Sequence, residues 1–451
     1  MQVQSWRRVY GRHRGPVVIE AWMTPWLLLA IPLLGAGLCL LVKASLQRMK
    51  TVSLATSAAC LPAVIWASLA HPEPPAGMAF LCLLPATAFL TLLGQPLHRA
   101  NHAAWIMTLI LLGLALGVLT SHAAAQAFLL VVLLAVVAGL LYAHPSGSTA
   151  ETWRGMSSFG LGILCTLLAL ALPAPASTIA LLITCATLLP LLPLQSGFVA
   201  ALTGLPGNLP ALVAFVLPAV GFHTLCLLLP SLPVTALRTV AILALAGAVY
   251  GSLRALIQSH PLPRLGYAAL AFFCLLWWFI ADTGTAPAQA LVYLSAVGLT
   301  IGGLLLAWYA IRARYGDIDF RALGGLAYPM PRFSTLLALL ALAALGMPPF
   351  GIFSGFLGML LTPAFAPSGA FALIMLVWLT ASWYYTDLIQ QIVFGRSRLD
   401  IRHEDLRQTE FISLLLILLL LLLLGTAPSR LFEPPAGTPA AIAMTSERWT
   451  R

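Results

Sequence analysis

The sequence predicts an all-α polytopic membrane protein. Apolar residues make up 61% of the chain and charged residues 8%, whereas charged residues are about 25% of an ordinary soluble domain. Apolar runs recur from Trp26 to Leu424, and most contain the roughly 20 residues that a helix needs to cross the ~30 Å hydrocarbon core. The runs lack the ~10-residue alternation of a transmembrane barrel, so helices are the only spanning structure left.

Proline, glycine and charged residues divide the apolar runs into about fourteen predicted transmembrane helices. In chain order they span approximately residues 24–42, 52–70, 76–94, 102–120, 123–143, 156–174, 177–195, 206–229, 236–256, 265–281, 287–310, 333–360, 368–394 and 411–427. These helices leave no stretch long enough for a soluble domain of useful size.

The distribution of basic residues predicts how these helices are oriented. Alternate loops collect fifteen lysines and arginines on one side and only Arg238 on the other. Because basic loops are retained in the cytoplasm, the rich side is cytoplasmic and both termini lie outside. The fifteen are Lys43, Arg48, Lys50, Arg99, Arg154, Arg254, Arg264, Arg312, Arg314, Arg321, Arg332, Arg396, Arg398, Arg402 and Arg407.

The N-terminal arm, residues 1–22, disagrees with this orientation. It places Arg7, Arg8, Arg12 and Arg14 on the predicted outer side. Two explanations stay open, an interfacial arm or an upstream start. The arm does not resemble a cleavable signal peptide, because no 7–15-residue apolar stretch with a small-residue cleavage site precedes the first helix.

Soluble-type enzyme chemistry has no visible site in this sequence. There is no P-loop, G-x-G-x-x-G, H-E-x-x-H or G-x-S-x-G motif. The seven cysteines occur singly in separate apolar segments, as small core residues do. The net charge of +10 is accounted for by the cytoplasmic loops and tails, which favours anionic lipid head groups over nucleic acid. We therefore expect no catalytic residue, metal ion, cofactor or nucleic-acid partner.

Proline pairs interrupt two of the predicted helices. Pro190 and Pro193 lie near the end of the seventh helix, Pro206 precedes the eighth, and Pro348 and Pro349 lie inside the twelfth. Proline removes a backbone donor and clashes with the preceding turn. Interrupted helices often mark ion or substrate pathways in transporters built from inverted repeats. The alternative is that these prolines only kink packed helices.

The two interruptions lie about five helices apart, as two inverted five-helix repeats require. This spacing predicts five approximate divisions. They are a basic arm (1–22), N-terminal helices (23–122), a first antiporter-like repeat (123–256), a second antiporter-like repeat (257–394), and a cytoplasmic loop with the last helix and C-terminal tail (395–451).

Several short motifs between residues 190 and 395 resemble one family. PLLPLQ at 190–195 is similar to a P-x-x-P-L-H segment, and 206–221 resembles the stretch after it. LGGL at 323–326 with the Met-Pro at 330–331, GMPPFGIFSG at 346–355 and YYTDLIQQIVFG at 384–395 follow in the same order. Together they resemble the antiporter-like membrane subunits of respiratory complex I, Mrp-type sodium/proton antiporters, membrane-bound hydrogenases and DAB-type inorganic-carbon transporters. The resemblance covers roughly residues 100–427 and implies fourteen helices with both termini outside.

The resemblance also implies a charged proton path, which this sequence lacks. The family's seventh-helix lysine falls on Leu188, its eighth-helix lysine on Ala219, and the charge after the twelfth-helix break on Phe356. The fifth-helix glutamate should lie near Val131 or Val132, yet residues 123–149 contain no acid. The loop motif DxKR-x-x-AY has become HPLPRLGY at 260–267. Buried charges in a bilayer are expensive and are kept for function, so their loss removes the usual route.

His223 and Asp387 are the candidate proton relays that remain inside the predicted helices. His223 lies four residues after Ala219, on the same helical face, and a neutral histidine can relay protons near physiological pH. The alternative is a histidine hydrogen-bonded in a packed core. Asp387 lies near the cytoplasmic end of its helix beside Tyr384 and Tyr385, where a satisfied interfacial carboxylate is the alternative. Arg238 and Arg254 are near enough to helix ends to snorkel.

The resemblance implies a membrane subunit of a multi-subunit, proton-motive-force-linked assembly in a bacterial inner membrane. It is either a structural companion to a charged subunit or a conductor by a reduced route through His223, and it is not itself an enzyme. The preferred assignment is DAB-type bicarbonate or CO2 uptake with a zinc subunit resembling a carbonic anhydrase. The alternatives are a complex I-like or hydrogenase-like redox complex and a stand-alone carrier. The loops around Arg321 and Arg402 are solvated faces or docking surfaces for a partner subunit.

Overall fold

The computed structural model describes residues 17–42, 44–70, 78–98, 101–121, 123–144, 149–316, 323–362, 365, 369–395 and 404–427. All regular secondary structure in these residues is helical, which confirms the predicted all-α fold class. Eleven described helices are long and apolar enough to cross a membrane, and four shorter helices are apolar. The count of fourteen crossings and the side of the termini stay predictions.

The described residues form sixteen α-helices. They are α1 (Val17–Leu41), α2 (Leu46–Ala70), α3 (Met78–Gly94), α4 (His102–Thr120), α5 (Ala123–Ala143), α6 (Thr149–Ala171), α7 (Ala176–Leu188), α8 (Ser196–Gly204), α9 (Leu209–Leu228), α10 (Val234–Ile257), α11 (Pro261–Thr283), α12 (Ala288–Tyr315), α13 (Pro331–Ala344), α14 (Gly351–Leu360), α15 (Ala370–Leu388) and α16 (Gln408–Thr426). A 3-10 turn, Leu229–Ser231, follows α9, and a π-helix, Ile389–Val393, follows α15.

Each predicted span contains at least one of these helices, but several helices begin earlier than hydropathy indicates. Helix α2 begins six residues early and includes Arg48 and Lys50, and α6 begins seven residues early and includes Glu151 and Arg154. Hydropathy marks only the part of a helix that lies in hydrocarbon. The hydrogen-bonded helix continues into the interface, where charged side chains are solvated.

The proline pairs interrupt their helices, whereas isolated prolines do not. The predicted span 177–195 contains α7 and then a non-helical link with Pro190 and Pro193, and 333–360 divides into α13 and α14 around Pro348 and Pro349. Pro206 lies in the link between α8 and α9. Single prolines at positions 62, 85 and 218 lie inside continuous helices. The chain is therefore broken, and not only kinked, at both predicted places.

Helices α9, α11 and α12 form the buried centre of the molecule. Nearly every residue of α11 and α12 is shielded from the surface by neighbouring helices. A Cβ on Gly302 would lie 2.8 Å from the carbonyl oxygen of Ala211, so this glycine permits the close approach of α9 and α12. Leucines exposed on α1, α6, α15 and α16 face outward, where lipid is the expected neighbour.

The division into two repeats stays a prediction, and the helix order suggests different boundaries for them. We count α7 with α8, and α13 with α14, as one broken segment each. If the first repeat then begins at α4 and the second at α10, each repeat has five segments and its break lies in the fourth. Both starts are one helix earlier than the predicted limits at 123 and 257.

Several predicted loop residues lie outside the described residues: the N-terminal arginines, Lys43, Arg99, Asp317, Asp319, Arg321, Arg396, Arg398, Asp400 and Arg402.

Candidate functional site at the two helix breaks

The first break follows Leu188, the last residue of α7, and α11 supplies donors to it. The indole Nε1 of Trp277 donates to the carbonyl oxygen of Leu189 at 3.0 Å, and the thiol of Cys274 donates to the carbonyl oxygen of Pro190 at 3.7 Å. Leu188 itself is fully buried. A backbone carbonyl freed in lipid is tolerated only where something satisfies it. Here the protein's own donors do so.

Helix α9 packs directly against this first break. Ala219, the second position where the family carries a lysine, is fully buried in α9. A Cβ on Gly221, two residues later, would lie 2.7 Å from the backbone nitrogen of Leu189 and 2.9 Å from the Cβ of Leu188. The helix and the broken segment therefore touch backbone to backbone at this level.

The second break follows Ala344, the last residue of α13, and Trp378 covers it. The indole Nε1 of Trp378 donates to the carbonyl oxygen of Leu345 at 3.0 Å. Gly346 has φ +71°, a conformation that favours glycine, and the Trp378 ring occupies the space that a Cβ on Gly346 would need. The turn at the break and the tryptophan above it are thus matched in shape.

Phe356 belongs to a cluster of four aromatic side chains, which we call the aromatic plug: Phe272, Tyr293, Phe356 and Trp378. The ring centroid of Phe356 lies 4.4 Å from that of Trp378 and 6.2 Å from that of Tyr293, and Phe272 lies 5.5 Å from Trp378. The hydroxyl of Tyr293 donates to the carbonyl oxygen of Phe272 at 3.2 Å. At the position where the resemblance implies a charge, this chain packs aromatic rings.

The fifth-helix position and His223 are the remaining places where the sequence analysis considered a proton-carrying group. Helix α5 contains no acidic residue; Phe128 is 62% exposed, and Val131 and Val132 are half-buried. His223 is half-buried in α9, between the buried Phe222 and Thr224, one turn after Ala219. Its role as a proton relay stays a prediction.

Asp387 is held by an ion pair that the sequence did not predict. Its Oδ2 lies 2.9 Å from an Nη of Arg264, which also donates to the carbonyl oxygen of Tyr384 at 2.8 Å, and Gln391 donates to Oδ1 at 2.6 Å. Arg264 was expected in a cytoplasmic loop, yet it is buried in the first turn of α11. Pro261 at the first helical position could have revealed the earlier helix start, since proline favours that position.

A second ion pair joins α12 to the start of α16. Arg314 donates to Glu410 at 2.7 Å, and both side chains are buried. Arg314 also donates to the carbonyl oxygens of Glu404 and Asp405. Asp405 in turn accepts hydrogen bonds from the backbone of Arg332 and Phe333 at the start of α13. These contacts fix the segment before α16, so Arg314 and Glu404 are structural here.

A polar cavity of about 860 Å³ lies among the helix ends on the predicted cytoplasmic side, and we call it the vestibule. It adjoins α8 and the link from α8 to α9. Its lining includes Arg154, Arg254, Arg312, Glu151, His144 and His260, together with the tyrosines Tyr250, Tyr267 and Tyr309. No sequence pattern predicted it, because its walls come from six separate segments. Within the described ranges no group of three or more His, Cys, Asp or Glu is placed to hold a metal ion.

Residues 164–383 match the family model described as "NADH:quinone oxidoreductase/Mrp antiporter, TM". This matched region, about half of the chain, supports the resemblance to the antiporter-like membrane subunit family that the motifs predict. A comparison with curated proteins found no significant match.

Solved structures share the fold. A chain of respiratory complex I from Thermus thermophilus with bound NADH is 20% identical, with TM-score 0.79, covering 90% of this chain and 97% of that one. A chain of the archaeal membrane-bound sulfane sulfur reductase is 18% identical, with TM-score 0.79, covering 89% of this chain and 76% of that one. The two TM-scores show a common fold.

Proposed function

We propose that this chain is a membrane subunit of a complex I-like or related membrane-bound respiratory assembly, and that it contributes structure without a proton path of its own. The observation that carries the proposal is the way both helix breaks are closed. Each break is covered by a tryptophan indole and apolar side chains at the positions where the family carries charge. The structural neighbours, which are described as parts of respiratory complexes, support the kind of assembly.

Proton transfer along a protein path needs groups that can both accept and donate a proton, spaced at hydrogen-bond distances. The side chains of Leu188, Ala219 and Phe356 offer none. The indoles at the breaks are donors only, and their N–H groups are already engaged with backbone carbonyls. A path through the centre of the molecule is therefore interrupted at both breaks.

The earlier preference for inorganic-carbon uptake, with a zinc partner resembling a carbonic anhydrase, gains no support from the matched proteins. Copurification separates the possibilities. Under our proposal, affinity purification of the full chain in mild detergent recovers iron–sulfur or NiFe subunits. A zinc protein in their place would favour carbon uptake, and recovery of the chain alone would favour a stand-alone carrier. Residence in a bacterial inner membrane is part of the same proposal.

The absence of a proton path can be tested on the full chain in liposomes. We expect a pH-sensitive dye to report no cation-driven proton exchange above that of protein-free vesicles, while an added ionophore confirms that the vesicles hold a gradient. Exchange that the His223→Ala variant removes would instead establish the reduced route through His223. Exchange that survives this variant would show that the breaks are not sealed.

A further inference from the structure

The vestibule is suited to an anion. Among the described residues, three arginines and one carboxylate line it: Arg154, Arg254, Arg312 and Glu151. The guanidinium carbon of Arg254 lies 5.2 Å from the ring centroid of Tyr267. Its Nε is buried and has no hydrogen-bond partner among the described residues. Arg254 nevertheless lines the vestibule, and a guanidinium matches the oxygens of a phosphate.

A second, apolar cavity adjoins the vestibule on the outside of the molecule. This groove, about 520 Å³, runs between α10 and α15 and is lined by Ile242, Leu245, Ala246, Val249 and Leu373. Tyr250 lines both the groove and the vestibule. One surface therefore leads from lipid-facing apolar side chains, past a tyrosine, to a cluster of arginines.

The dimensions of this surface correspond to one leaflet of a bilayer. Ile242 and Arg254 are separated by twelve residues of α10, which is about 18 Å at the ~1.5 Å rise of an α-helix. Half of the hydrocarbon core is about 15 Å thick. A molecule with its acyl chain at Ile242 thus has its charged group at the level of Arg254, at the membrane surface.

We propose that an anionic phospholipid of the cytoplasmic leaflet binds here, with its phosphate against Arg254 in the vestibule and one acyl chain in the groove between α10 and α15. Tyr250 lies where the glycerol backbone crosses from one to the other. Basic pockets between transmembrane helices on the cytoplasmic side bind lipid head groups in this manner. Free phosphate has the same head-group chemistry but does not use the groove.

The test uses the purified full chain in detergent and measures thermal unfolding and lipid adducts in native mass spectra. The probes are dioleoyl-phosphatidylglycerol, dioleoyl-phosphatidylcholine and inorganic phosphate. We expect phosphatidylglycerol to bind more tightly than phosphatidylcholine and inorganic phosphate to have no effect. Arg254→Gln should weaken phosphatidylglycerol binding about fivefold, the contribution of one arginine near an anionic surface. Arg254→Lys, which keeps the positive charge, should retain most of the phosphatidylglycerol binding.

Matched variants separate the charge from the groove. Ala246→Trp fills the groove and should weaken phosphatidylglycerol binding, whereas Leu253→Trp places the same bulk on exposed α10 surface outside both cavities and should not. Arg238→Gln removes the arginine at the other end of α10 and should also leave binding unchanged. Binding that survives Ala246→Trp and is reproduced by inorganic phosphate would establish a small-anion site and overturn the proposal. Unchanged binding in Arg254→Gln would overturn it as well.

Discussion

Trp277 and Trp378 occupy equivalent places at the two helix breaks. Trp277 donates to Leu189, the first residue after α7, and Trp378 donates to Leu345, the first residue after α13. A broken helix leaves carbonyls without intrahelical partners. In both halves of the molecule an indole supplies the missing donor, so the same residue type closes both breaks.

Replacing Trp378 by phenylalanine should destabilise the fold through the lost hydrogen bond. The variant keeps an aromatic ring beside Phe356 but leaves the carbonyl of Leu345 without its donor, which costs about 1–3 kcal/mol for a buried group. Trp105→Phe is the control for ring size, because Trp105 is fully buried, whereas Trp378 is half-buried, and the indole nitrogen of Trp105 has no hydrogen-bond partner in the described structure. Thermal unfolding in detergent measures both. Equal losses in the two variants would show that ring volume, and not the hydrogen bond, stabilises the break.

The charged residues show which features of individual residues can be predicted from the sequence and which cannot. The losses at Leu188, Ala219 and Phe356 are visible in the sequence, because aligned motifs locate those positions. The ion pairs Arg264–Asp387 and Arg314–Glu410 are not visible, since each joins residues about a hundred positions apart. Asp387 accepts two hydrogen bonds, one from Arg264 and one from Gln391, and Arg264 also donates to the carbonyl oxygen of Tyr384. The role of Asp387 as a proton relay stays a prediction.

At the scale of elements, paired prolines predicted the breaks correctly, because each pair removes two donors within one turn. Single prolines such as Pro218 stay inside continuous helices, since one missing bond only distorts a helix that its neighbours hold in place. What covers each break could not be predicted. The covering residues come from α11 and α15, and only the packed fold brings them to the breaks.

Because the first break is sealed by apolar side chains, we expect a lysine introduced into α9 beside it to destabilise the protein. Ala219→Lys should lower stability or insertion by about 2.5–3.5 kcal/mol more than Ala219→Met, which adds a chain of similar length without charge. The reason is that Ala219 is fully buried in an apolar helix. Thermal unfolding and yield of inserted protein measure the difference. Equal behaviour of the two variants would show that water reaches the break and that the centre of the molecule is not dry.

At the scale of the whole molecule, the clusters of charged residues lie where the basic loops predict the cytoplasm. The vestibule arginines, both ion pairs and Lys50, which donates to the carbonyl oxygens of Leu93 and Gln95, all lie at the same end of the bundle. The opposite end has Arg238 on α10 as its arginine within the described helices. Hydropathy therefore predicted the positions of the helices along the chain, and the orientation stays a prediction. The vestibule could not be predicted, because it depends on how separate helix ends converge.

The orientation can be tested with cysteines at the two ends of α11. Ser259 and Thr285 are both exposed and flank this 23-residue helix, which is about 34 Å long at the ~1.5 Å rise per residue and so long enough to cross the hydrocarbon core. In a background without the seven native cysteines, Ser259→Cys should react with a membrane-impermeant maleimide only from the cytoplasmic side, and Thr285→Cys only from outside, because the arginine-rich end is retained in the cytoplasm. The reverse pattern would invert the molecule and place the vestibule and its lipid in the outer leaflet. Labelling of both cysteines from one side would show that α11 does not cross the membrane.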